Sequence, residues 1–107
     1  MDLVPQVYEL VRHFPDIERF ALSDQMRRAA VSVPSNIAEG AARQTHKEFI
    51  NYLHMAQGSL SELDTQIEVS LRLGYVSESL LVPVRKSMGD VDRMLTGLIR
   101  SLRASKA

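Results

Sequence analysis

Residues 45–74 read THKEFINYLHMAQGSLSELDTQIEVSLRLG, and the apolar spacing of this stretch decides the fold. Phe49, Leu53, Ala56, Leu60, Leu63, Ile67 and Leu71 recur at steps of three and four, which places them on one helical face and close to a heptad seam. Thr45 followed three residues later by Glu48 is a capping box, whose side chains satisfy amides that a first helical turn leaves without partners. Gly74 ends the pattern, because a glycine just past a helix can take the left-handed backbone that closes it. The spacing predicts a helix over residues 46–73.

Such a stripe needs a partner. Downstream, Val84, Met88, Val91, Leu95, Leu98 and Leu102 repeat the same steps, so a second stripe runs over 78–104, with Glu78 in its first turn. Pro83 falls early there and loosens that turn. Upstream, Leu22, Met26, Ala29, Ala30, Val33, Ile37 and Ala41 share a face over 23–42, with Ser23 or Asp24 as cap. Pro34 lies within this run without breaking its phase, so one kinked helix is expected rather than two. Leu3, Val7, Leu10, Val11 and Phe14 form a shorter face over 3–14, with Asp2 as N-cap and Pro15 as the stop. No period-two alternation competes. The reading is an all-α, up-down-up-down four-helix bundle with a kinked second helix, one domain over 1–107. The third and fourth helices are expected to be its most regular pair, with Leu60 and Leu98 both in the core. Gly58 and Gly97 inside helices are read either as tolerated imperfections or as points of close backbone approach.

Composition narrows the function. Thirteen Lys and Arg balance thirteen Asp and Glu, so only local patches can attract nucleic acid or membrane. The absence of Cys excludes disulfides, thiolate metal sites and thiol nucleophiles. No apolar run reaches the roughly twenty residues of a membrane span, and Asp2, Glu9 and Arg12 interrupt any signal-peptide core. A cytoplasmic protein is expected. The three histidines, His13, His46 and His54, do not follow a Glu by three residues, so no di-metal bundle site is present. Hydrolase elbows and phosphate-cradling loops are also missing. No catalytic residue, cofactor or metal is assigned, and the protein is not expected to be an enzyme.

Several separated motifs carry a resemblance. Arg27-Arg28-Ala-Ala-Val-Ser-Val-Pro-Ser-Asn-Ile-Ala-Glu-Gly40, Lys47-Glu48-Phe49, Gly58-Ser-Leu-Ser-Glu-Leu63 and Leu73-Gly-Tyr75 occur in the order found in the four helix bundle protein family. Some members of that family are encoded in intervening sequences of bacterial 23S ribosomal RNA genes, and it is also called the S23 family. The resemblance spans about residues 3–103. It implies a bacterial, cytoplasmic homo-oligomer, pentameric in members of known structure. A related group of retroelement accessory proteins binds reverse transcriptase and nucleic acid. Two departures stand out. The first helix is shorter than the family pattern by roughly two turns, so it covers its groove incompletely or the start is assigned late. Asp64 replaces a usual Glu and keeps the carboxylate.

Two surfaces follow. Ser35, Asn36 and Glu39 are placed away from the second helix's seam and are expected at a subunit interface; Asn36 satisfying carbonyls freed by Pro34 is a second reading, and a solvated face with Glu39 and Arg43 as an i,i+4 pair is a third. Residues 93–107 carry Arg93, Arg100, Arg103 and Lys106 and no acid, while Lys86, Arg93 and Arg100 share one outward line that Asp90 weakens. With Arg28 and Arg43, Lys86, Arg93, Arg100 and Arg103 are the expected nucleic-acid-binding residues, and a ring of subunits would multiply the patch. The resulting expectation is a homo-oligomer, a pentamer by the resemblance, binding RNA or a nucleoprotein with little base readout. A protein-interaction scaffold is the alternative, and a plain solvated face accounts for the same charges.

Overall fold

α3 spans His46–Arg72 and shows why a capped, periodic segment becomes a helix. The Glu48 amide donates to Thr45 Oγ1 at 3.1 Å, and the Thr45 hydroxyl donates to the Glu48 carboxylate at 2.9 Å. At the other end Gly74 has φ +77°. Gly74 N–H bonds the Leu71 carbonyl and Tyr75 N–H the Ser70 carbonyl, both at 3.0 Å, the paired bonds of a Schellman closure. In this computed structural model, which describes residues 1–105, the other helices are α1 (Leu3–Val11), α2 (Leu22–Ala41) and α4 (Glu78–Ala104), with a short 3-10 turn at Asp16–Glu18 before α2. Among the described residues there is no strand.

Each helix meets its two neighbours and not the one across from it, so the four close a ring of contacts in chain order. Leu3 lies beside Val91 and Met94, and Leu10 beside Leu80 and Val84, so α1 runs antiparallel to α4. The 9 residues of α1 face the 20 of α2 and the 27 of α4, or about 14 Å against about 30 Å and about 40 Å at 1.5 Å per residue. α1 therefore covers only one end of the molecule. Beyond Met94, Leu98 and Leu102 remain half-buried.

The core is one cluster: Leu3, Val7, Leu10 and Val11 from α1, Met26, Ala29, Ala30 and Val33 from α2, Leu53 to Ile67 on the α3 seam, and Leu81 to Ile99 on α4. Leu60 is core as expected; Leu98 is not, and Ile99 takes its place. A strict heptad drifts about 20° per repeat on a straight helix, and one extra step of four after Leu95 corrects the phase. Pro83 does not leave α4's start loose, because Leu81 and Val84 on either side are buried.

α2 starts ahead of both residues expected to cap it. Ser23 is buried inside the helix and Asp24 pairs with Arg28 at 3.2 Å, so neither caps. The Glu18 carboxylate from the preceding turn instead accepts the Leu22 amide at 3.5 Å. Asp2 occupies the N-cap of α1 without a side-chain cap bond. α2 passes Pro34 as one helix.

α2 approaches α3 more closely than α4 does. Small residues explain it: Ala29 and Ala30 on α2 are buried, and a Cβ added to Gly40 would lie 2.7 Å from Tyr52 Cβ and 2.8 Å from Phe49 Cδ1. Gly40 is the point of close approach. Gly58 and Gly97 have open space where a Cβ would stand, so the close-approach reading fails for both.

Candidate nucleic-acid interface

The six cations expected from the sequence do not share one surface. On the outer line of α4, Lys86 Nζ sits 3.2 Å from Asp90 Oδ2 and Arg93 pairs with the other oxygen of the same carboxylate. The Lys86 hydrogen bond, with Arg93 adding to it, holds the Asp90 carboxyl below its ordinary value. Two cations are thus partly neutralised by one acid. On α2, Arg28 pairs with Asp24, and Arg43, just past the end of that helix, pairs with Glu39 while lying 5.1 Å from the Tyr52 ring centroid. The Glu39 bond raises the Arg43 guanidinium further above its already high value.

Arg100 and Arg103 differ. Among the described residues neither has a carboxylate partner. They line a groove of about 320 Å³ between α3 and α4 with His54, Gln57, Thr96 and Ile99. An Arg103 Nη donates to His54 Nε2 at 3.2 Å, which fixes that nitrogen as an acceptor. The opposite ring nitrogen, Nδ1, then donates to Gln57 Oε1 at 3.1 Å, and Gln57 Nε2 donates to Thr96 Oγ1 at 3.3 Å. This relay orients Arg103 across the groove and leaves most of its five N–H groups for an anion. Lys47, exposed and seven residues before His54, lies on the same line of α3.

Tyr52 and His54 are two residues apart, about 200° around α3, so Arg43 and Arg103 flank opposite sides of that helix. Lys106 lies outside the described residues. Sequence reasoning missed His54, Gln57, Thr96 and Lys47. The His54–Arg103 contact joins residues 49 apart, and no local spacing signals it.

The expected interface residues also separate. Ser35 and Glu39 are exposed, Ser35 donating to the Val31 carbonyl at 2.8 Å. Asn36 is half-buried and turns inward: its Nδ2 donates to the Ser32 carbonyl at 2.9 Å and to Ser32 Oγ at 3.0 Å. Ser32 Oγ in turn meets Ser59 Oγ of α3 at 2.7 Å. The carbonyl freed by Pro34 belongs to Ala30, so Asn36 does not perform the repair considered for it. Ser32, Asn36 and Gly40 fit α2 against α3.

Among the described residues no group of three His, Asp or Glu side chains could hold a metal ion, and no helix is long and apolar enough to cross a membrane. A four-helix, all-α protein with basic surface grooves is the class that fold and site define. Residues 1–97 match the 23S rRNA-intervening sequence protein family, and the chain belongs to it. A crystal structure of a protein of unknown function from the S23 ribosomal protein family of Bacteroides thetaiotaomicron shares the fold, with a TM-score of 0.77 and 22% identity over 90% of this chain and 87% of that one. No curated protein matches the chain.

Proposed function

We propose that the protein is a non-enzymatic, cytoplasmic homo-oligomer, a ring of five by family resemblance, that binds the phosphate backbone of RNA or a nucleoprotein. The observation that carries this reading is the Arg100–Arg103 groove, where two guanidiniums stand without a carboxylate beside hydroxyl and amide donors. Guanidinium forks match phosphate oxygens in pairs, and the apolar Ile99 floor offers no base-edge code. Binding is then sequence-tolerant and salt-sensitive. Lys86 and Arg93 contribute less, because Asp90 already occupies them. A ring multiplies the groove by its subunit number, so a neutral protomer presents several positive sites at once.

Labelled single-stranded RNA titrated at two salt concentrations tests the reading. Each phosphate neutralised adds about −0.7 to the slope of log affinity against log salt. Replacing Arg100 and Arg103 by Gln is expected to flatten the slope by about 1.4 per engaged subunit and to leave melting unchanged. Affinity that ignores both salt and the double substitution overturns the assignment. Sedimentation as a 12.0 kDa monomer at micromolar concentration overturns the ring.

A further inference from the structure

A second groove, of about 780 Å³, lies between α1 and the start of α2, at the end covered by α1. Its apolar lining is Val4, Pro5 and Val11, with Tyr8 half exposed at 45%. Arg12, Arg19 and Arg27 line it too; Arg27 lies 3.9 Å from the Asp24 carboxylate, and the one carboxylate in the lining itself is that of Glu9. That carboxylate pairs with Arg12 at 3.2 Å. Arg27 donates to the Arg19 carbonyl at 3.0 Å and so ties the 3-10 turn to α2. Arg19 has no carboxylate partner among the described residues, and its guanidinium lies 5.2 Å from the Phe20 ring centroid. Phe20 and nearby Ile17 are each 84% exposed. Large side chains held this far into water next to an apolar groove mark an interaction surface.

We propose that this groove docks an acidic, apolar segment of another protein, with its carboxylates on Arg12 and Arg19 and its apolar anchors on Val4, Tyr8, Val11 and Phe20. Charge complementarity sets the sign of the partner, because Arg19 has no carboxylate partner among the described residues and three guanidiniums stand against the two carboxylates of Glu9 and Asp24. The shape sets its size. A small-molecule site buries most of its ligand, whereas this surface continues over exposed Phe20 and suits a peptide laid across it. The proposal does not depend on the Arg100–Arg103 groove, which lies beyond the reach of α1.

A display library of random twelve-residue peptides, panned on the full chain, tests it. Enrichment of Asp and Glu around Leu, Phe or Trp is expected. Selected peptides, fluorescein-labelled, should lose at least tenfold in affinity on Arg12→Glu with Arg19→Glu, and on Phe20→Ser. These residues are exposed, so melting temperature should hold, and Arg100→Gln with Arg103→Gln should leave peptide binding intact. No enrichment, a basic consensus, or equal affinity for the variants overturns the proposal. Displacement of the peptides by dodecanoate or by single-stranded RNA overturns it in favour of those ligands. A change of sedimentation in the Arg12, Arg19 or Phe20 variants overturns it in favour of a contact between copies of this chain.

Discussion

α3 meets α2 on one side and α4 on the other, and the two contacts are built from different side chains. Against α2 stand Ala29, Ala30 and Gly40, with the Ser32–Ser59 hydroxyl contact at 2.7 Å crossing between the helices. Against α4 stand Leu60, Met88 and Ile99, and grooves of about 610 Å³ and 320 Å³ open along the contact. Leucine periodicity tells a helix which way to face. Small residues decide how close its partner comes, and long ones leave space at the rim where polar groups collect. Here the closed contact is structural, and the open one carries Arg100 and Arg103, neither with a carboxylate partner among the described residues.

Four sets of substitutions would break or sharpen this contrast. Leu60→Ala removes a core side chain beside the open contact and is expected to cost about 2–5 kcal/mol by lost transfer energy and cavity formation. An unchanged melting temperature would mean that the α3 seam is wrongly placed. Gly40→Ala should destabilise by about 1–3 kcal/mol through overpacking, because Tyr52 Cβ and the Phe49 carbonyl, at 3.3 Å, leave the new methyl no room. Gly58→Ala and Gly97→Ala, which meet nothing within 4 Å, should instead stabilise by up to about 1 kcal/mol through helix propensity. Urea denaturation of the three variants reads the contrast directly; shifts of one sign would abolish it.

Ser59→Ala removes the hydroxyl that meets Ser32 across the tight contact and should cost about 0.5–1.5 kcal/mol. A double cycle with Ser32→Ala that shows no coupling would assign the pair no energetic role. The smallest effect on stability belongs to Asp90→Asn on the exposed face of α4. It frees Lys86 and Arg93, so the RNA salt slope should steepen by about 0.7 for each cation that finds a phosphate. Asp90 is held below the ordinary carboxylate value, so its pairing is present at neutral pH and lost only as pH falls through that lowered value. Affinity that rose between pH 7 and 5 in the wild type, and not in Asp90→Asn, would contradict this.

What can be read in the chain follows from locality. The Thr45–Glu48 cap, the Gly74 closure and the buried faces of α3 and α4 up to Leu95 all depend on residues within one or two turns of each other. The family is recognisable from the same short motifs. The α2 start escapes a local reading because Glu18, in another element, accepts the Leu22 amide. Asn36 reads as outward because a uniform 100° per residue places it there, whereas α3 draws Ser32 and Asn36 inward through Ser59. The candidate site is half legible. A charge count finds Arg100 and Arg103, but only folding shows that Asp24, Glu39 and Asp90 neutralise the other four cations.

The brevity of α1 also sets an order of assembly. Nine residues fall below the roughly 12–15 that an isolated helix needs to persist in water, so α1 is helical only when docked. Its contact with α4 is also the one that joins the ends of the chain, while α2 and α3 meet across a short turn. Contacts close in sequence form early, and those that close a long loop form late. α2 and α3 are therefore the natural nucleus, and α1 is the last helix to arrive and the first to leave. Amide hydrogen exchange should run fastest through Leu3–Val11, and each such opening would bare Val84 and Val91 while the α2–α3 pair stayed intact.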